Sequence, residues 1–336
     1  MNDTEKSMKR IEKEIRKIAD KLLKDKKVNL IIGFEKGTLP LRARPSFVRR
    51  PEEVEKLIWN SFCENNLAVY VPFYRRFLDQ GDRIALVAKG CDVRSLVLHI
   101  QENVLKRNQI TIIGIPCEGM IDRRKLAREV SQNEIMEVTE ESTSIIVKGD
   151  GFEKKFKRDD VLCNDCLICT HKKPVIYDEI VDVEATEKTD FIERADIADF
   201  ESKSLEDRWK FFAKETDRCI RCYACRNACP SCYCNECFVD CARPQWIGTT
   251  VDDKTDLQLF QIIRTFHMAG RCVNCGSCTR ACPMEIGISL FVNKLSGDAK
   301  RLFNYETGLD IEEKPVLNKY NEEDSNEGFF EENETN

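Results

Sequence analysis

Eight of the chain's eighteen cysteines fall into two copies of one pattern: Cys219, Cys222, Cys225 and Cys229 followed by Pro230, then Cys272, Cys275, Cys278 and Cys282 followed by Pro283. Two, two and three residues separate the thiols of each copy, the spacing with which a chain cages a 4Fe-4S cluster. The first three thiols of such a run share one tight loop and take three corners of the cluster. The fourth is carried off by the turn at proline and ligates the other cluster. The expected sets are therefore Cys219, Cys222, Cys225 and Cys282 for one cluster, and Cys272, Cys275, Cys278 and Cys229 for its partner. Zinc also accepts cysteine pairs, but a tetrahedral site gives no reason for a repeated four-thiol run ending in proline.

A chain of 336 residues has room for two or three ordinary cores. Its net charge of -6 argues against a nucleic-acid binder, which shows a concentrated basic face. No stretch approaches the roughly 20 apolar residues of a membrane span. The first 27 residues are charged throughout, unlike a secretory signal. A cytoplasmic location follows as the expectation, and there cysteine clusters bind metal more often than they form disulfides.

Met8, Ile11, Ile15, Ile18 and Leu22 recur at helical spacing, so residues 1–27 are expected to carry an amphipathic helix. Val28 to Gly33 reads as a buried strand, and Pro51-Glu52-Glu53 as the start of a helix. Arg42, Arg44, Arg49 and Arg50 form a small basic cluster, most simply a solvated surface. Between residues 83 and 130 strand, helix, strand and helix alternate, which implies a parallel βαβ unit. Cys91 and Cys117 occupy equivalent places in it, each where a strand ends and a helix is about to begin, the sheet edge at which ligands bind. Glu134 to Val138, Ser144 to Lys148 and Phe152 to Phe156 read as antiparallel strands turning at Gly149-Asp150-Gly151.

Cys163, Cys166 and Cys169 form a half-site that needs thiols from elsewhere. Cys91 and Cys117 supply them in a third 4Fe-4S cluster, zinc or free buried thiols being the alternatives. His171, just beyond, is a further candidate ligand, whereas His99, His267, Trp59, Trp209 and Trp246 are read as packing residues. Cys232, Cys234, Cys237 and Cys241 exceed what two clusters use. They suit a fourth cluster, a zinc ion, plain packing, or replacement of Cys229 by one of them.

Helices are expected from Ser204 to Lys214, from Leu257 to Met268 and from Ile288 to Leu302, flanking the cysteine runs. The fold class is thus an α/β N-terminal domain with a mixed, largely parallel sheet, plus an α-helical dicluster ferredoxin domain. Expected boundaries are 28–185 for the first, 186–203 for an acidic linker, and 204–305 for the second. Residues 306–336 are an acidic tail expected to be disordered, with nine acids against two lysines from residue 311 onward.

The segments Ile84-Ala-Leu-Val-Ala-Lys-Gly-Cys-Asp-Val-Arg-Ser-Leu and Ile113-Gly-Ile-Pro-Cys-Glu-Gly-Met-Ile-Asp resemble the beta subunits of coenzyme F420-reducing hydrogenases and F420-dependent formate dehydrogenases. So does Cys163 to Cys169 with Tyr177-Asp178 downstream. Cys219-Ile-Arg-Cys-Tyr-Ala-Cys-Arg-Asn-Ala-Cys-Pro-Ser-Cys-Tyr-Cys-Asn-Glu-Cys is similar to the formate dehydrogenase members in particular. The likeness covers roughly residues 65 to 295. It implies an electron-transfer subunit of a multi-subunit oxidoreductase, partnered by a formate dehydrogenase or hydrogenase catalytic subunit or by heterodisulfide-reductase-type subunits. It also implies FAD beside Gly90, Cys91, Asp92, Pro116, Cys117 and Gly119, although the chain is short for the family and has no G-x-G-x-x-G fingerprint. The competing expectation is a thiol-disulfide or heterodisulfide reductase that uses the surplus cysteines of residues 232 to 241.

Overall fold

The computed structural model describes residues 3–130, 135–183, 185, 195–248 and 253–319. Its centre is a five-stranded sheet in the order β2-β1-β3-β4-β8, with β1 Leu30–Lys36, β2 Ala43–Val48, β3 Ile84–Ala88, β4 Ile110–Gly114 and β8 Glu179–Ile180. β1, β3, β4 and β8 run parallel and β2 is antiparallel. β3 is Ile-Ala-Leu-Val-Ala, every residue buried. Such an uninterrupted apolar run belongs inside a parallel sheet covered on both faces.

Helix α1, Asp3–Lys24, buries Ile11, Ile15, Ala19 and Leu22 in the same core as β1 and β3. α2, Gly90–Gln101, begins directly after β3, and α3, Arg123–Glu129, follows β4. A separate meander of β5 Ile135–Glu140, β6 Ser144–Gly149 and β7 Phe152–Lys157 forms its own small core around Ile145, Val147 and Phe156. Gly151, at φ +74, makes the β6–β7 turn.

The C-terminal half contains α4 Ala195–Ser202, α5 Leu205–Thr216, α6 Lys254–His267 and α7 Ile288–Phe303. Ser204 Oγ caps α5 through Asp207 N, and Asp253 caps α6 through Thr255 N and Asp256 N. Phe200, Phe211, Phe212 and Phe291 pack edge to face and tie α4 and α5 to α7. Among the described residues no helix is long and apolar enough to cross a membrane.

Three elements differ from the sequence expectation. β2 had no apolar alternation to announce it, because Arg44 and Pro45 sit on the sheet edge, where proline's missing donor does no harm. Pro51–Lys56 is a 3-10 turn rather than a full helix. Residues 195–202, placed in the linker by composition, form α4, while 186–194 lie outside the described residues. Trp209 and Trp246 are 52% and 60% exposed, so neither is a core residue, although Trp209 packs one face on Phe212. The first part of the expected tail folds back on the α/β domain: Arg94 donates to Thr307 O from both Nε and Nη2, and Tyr305 is buried. Residues 320–336 lie outside the described residues.

Candidate metal centres

The two cysteine runs fold into the same loop. In the first, Arg221 and Tyr223 adopt left-handed backbone (φ 48 and 58). In the second, the equivalent Asn274 and Gly276 do so (φ 55 and 69). The N–H of Arg221 donates to Cys219 Sγ at 3.4 Å, and that of Asn274 to Cys272 Sγ at 3.3 Å. The third thiol then lies in a short helical turn in each case, Cys225 in Ala224–Asn227 and Cys278 in Ser277–Ala281. Left-handed residues on both sides of the second thiol curl the chain around its sulfurs and turn backbone donors toward them.

The fourth thiols change partners. A cavity is lined by Cys219, Cys222 and Cys225 of the first run together with Cys282 of the second, closed by Phe260 and Ile286. Cys229 of the first run lies instead beside Cys272, Cys275 and Cys278. Burial pushes the Cys225 and Cys278 thiols up to about 11 and raises Cys272 and Cys275 as well. Thiols buried this deeply are costly to ionise even beside Arg264 and Arg280, so a metal centre that binds them must displace their protons and its affinity depends on pH. The donor set, four soft sulfurs per site with amide donors aimed at them, fits a 4Fe-4S cluster.

A third thiol group forms at the carboxyl edge of the sheet. Cys117, after β4, neighbours Cys166 and Cys169, and Cys91, at the start of α2, neighbours Cys117 and Cys275. Cys163 keeps its proton and shares it with Cys166, whose thiolate is favoured in turn. Gly119 N donates to Cys117 Sγ and Met120 N to Cys166 Sγ, both at 3.4 Å. Burial raises Cys117 to about 12. Five cysteines far apart in sequence thus meet in one place.

The surplus run is looser. Cys232, Cys234 and Cys237 line an interdomain cleft with Phe73, Arg226 and Arg271, while Cys241 Sγ donates to Cys237 O at 3.5 Å. Cys234 is exposed. Among the described residues no three His, Cys, Asp or Glu groups converge tightly enough for a single metal ion.

Beside Gly90 the space expected to take FAD is filled by the protein. A Cβ on Gly90 would meet His171 O at 2.2 Å. At the α2 N-terminus the Asp92 carboxylate accepts from Lys89 N at 2.8 Å and Leu67 N at 3.0 Å, and pairs with the buried Lys89 Nζ at 3.0 Å. Pro116, Cys117 and Gly119 border a cavity that also holds Glu118, Glu140 and Glu141. Arg158 lines the same cavity beside these acids, whereas the start of α2 is already capped by the Asp92 carboxylate, which disfavours a phosphate there. His171, a candidate ligand by sequence, instead gives its Nε2 to Glu306 at 2.7 Å. Arg44 and Arg50 of the basic cluster pair with Glu35 and Glu53.

Residues 215–286 match the 4Fe-4S dicluster domain family, and that domain supports two clusters. The F420-dependent formate dehydrogenase subunit beta of Methanocaldococcus jannaschii is 23% identical over 359 residues, spanning 89% of this chain and 92% of that one. The F420-dependent formate dehydrogenase 1 subunit beta of Methanococcus maripaludis is 26% identical over 350 residues, spanning 86% and 89%. This chain is thus similar to those beta subunits over most of its length. A solved chain of the F420-reducing nickel-iron hydrogenase complex of Methanosarcina barkeri is 15% identical with a TM-score of 0.37, covering 48% of this chain and 63% of that one.

Sequence reasoning missed the residues that hold the beta-subunit-like domain to the cluster loops. His99, fully buried on α2, bonds Pro230 O through Nε2 at 2.7 Å, directly after Cys229. Arg124 donates to the carbonyls of Thr279, Arg280 and Cys282. Arg280 donates to Cys275 O at 2.8 Å and Glu64 O at 2.7 Å. Their partners lie from 131 to 216 residues away in sequence, except Cys275, so no local pattern announces them.

Proposed function

We propose that this chain is the iron-sulfur electron-transfer subunit of a multi-subunit redox enzyme. One observation carries the reading: the duplicated loops exchange their fourth thiols, Cys282 joining Cys219, Cys222 and Cys225 while Cys229 joins Cys272, Cys275 and Cys278. Each set holds one 4Fe-4S cluster. Cys91, Cys117, Cys163 and Cys166, with Cys169 beside them, hold a third at the sheet edge. Each cluster supplies one reversible electron when bound. The protein's own work is to fix the spacing, keep water from the sulfurs and aim amide donors at them.

The layout supports an order of stations through the fold. Cys91 of the third set neighbours Cys275 of the second, and Cys225 of the first neighbours Cys278 of the second. The second set is therefore the middle station. Cys222 is exposed, and the neighbouring Ile220 is 50% exposed, so the first set faces outward to the partner. By its relatives, that partner is the catalytic subunit of a formate dehydrogenase or a hydrogenase.

Thiol-disulfide chemistry at residues 232–241 is the weaker reading. The Cys232 thiolate is favoured chiefly by a hydrogen bond from Cys229, a thiol the second cluster claims.

Anaerobic isolation tests the proposal. Acid-labile sulfide and iron above about eight atoms per chain, with EPR signals on reduction, are expected for three clusters. A folded, colourless chain overturns it, and about eight irons would remove the third cluster alone. Co-purification of a molybdenum, tungsten or nickel subunit identifies the partner.

A further inference from the structure

We infer that Arg264, a residue of α6, is the positioning residue that sets the reduction potentials of the two clusters in the helical domain. This rests on the cluster assignment above.

Arg264 is only 3% exposed. Its Nη2 donates to Cys225 O at 2.9 Å, while Nε and Nη1 are buried with no hydrogen-bond partner. The groups around it are thiols from both proposed sets, Cys225 from one and Cys229 and Cys278 from the other, with Cys232 beside them. Among the described residues no carboxylate forms an ion pair with it, whereas Arg280, partly buried at the second loop, stands beside Glu64. Burial works against the guanidinium and the neighbouring thiolates hold its charge in place.

A buried, unpaired cation with two idle donors is strongly destabilising unless something charged accepts them. A 4Fe-4S cluster with four thiolates is anionic, and it becomes more so on reduction. Placed against sulfurs of both clusters in a low-dielectric interior, Arg264 satisfies its own donors and favours the reduced state of each. The fork of the guanidinium suits one residue to two neighbouring centres.

The test is an EPR-monitored redox titration of the holoprotein alongside Arg264→Met and Arg264→Lys, with iron and sulfide counted in each. Arg264→Met, similar in length and uncharged, is expected to keep its clusters. At a fixed potential its reduced-to-oxidised ratio should fall at least tenfold in one or both, a downward shift of about 59 mV for one electron. Arg264→Lys restores the charge and should recover most of the shift. Unchanged potentials in a fully loaded Arg264→Met overturn the inference. If Met abolishes loading, Arg264→Lys decides: clusters at near-wild-type potential support the role, and loss of clusters there too marks Arg264 as structural only and overturns it. Wild-type protein without iron would fail the cluster assignment itself, a separable result.

Discussion

At the residue scale the two repeated runs of the dicluster domain were legible because spacing alone encodes them, whereas their supports were not. His99 read as a packing residue. It proves to be a strut whose buried, neutral imidazole bonds the carbonyl next to Cys229 and meets Tyr233 edge to face at 5.1 Å. Burial pulls its pKa down to about 4 from an ordinary 6.5. Above about pH 6.5 both folded and unfolded chains carry it neutral, so it costs nothing. Between about pH 6.5 and 4 the unfolded chain takes up a proton that the folded chain refuses, a penalty growing to the order of 3 kcal/mol. The stability difference between wild type and His99→Gln, followed by urea midpoint, should therefore shift in favour of the variant as pH falls from 7 to 5.5; parallel curves would refute it. The Lys89–Asp92 pair is equally hidden, 2% and 0% exposed. Removing one partner strands the other, so Asp92→Ala should cost about 3–5 kcal/mol in the same assay.

At the element scale the long helices, the central strands and the meander followed from periodicity, while α4 was hidden in an acidic stretch and Pro51–Lys56 made only a 3-10 turn. β2 and the short C-terminal strap did not follow from it, because each is held by tertiary partners rather than by its own pattern. The two cluster loops lie between these cases: their cysteines are read directly, but their curl depends on the left-handed residues. Gly276 shows the constraint most sharply. Its φ is +69, and a Cβ there would lie 2.2 Å from Asp165 Oδ2 and 2.8 Å from Arg280 Nη1. Gly276→Ala should therefore disturb the second loop and spare the first. The expected readout is loss of roughly four irons per chain with the EPR signals of the first and third centres retained. A fully loaded variant would show that the loop tolerates the shift.

At the scale of the whole molecule, the sequence announced two domains, yet it carried no sign of how firmly they are joined. The α/β half grips the cluster loops through Arg124 on α3, through Glu102, which takes a bidentate ion pair from Arg271 at 2.6 and 2.7 Å, and through Asp165, which accepts from Asn293 at 2.7 Å. These contacts hold the third thiol group against the second, so in the proposed relay electron passage would depend on that spacing rather than on the loading of either site. A double variant, Arg124→Ala with Arg271→Ala, removes carbonyl clasp and ion pair together but touches no thiol. Its iron content should stay near wild type, and each centre should still reduce with dithionite. Electrons delivered at the exposed first set should reach the third set at least tenfold more slowly, followed by rapid-freeze EPR. Equal rates would mean that the remaining contacts, Arg94 with Thr307 among them, hold the halves in register by themselves. Loss of iron would instead place these arginines in the assembly of the sites.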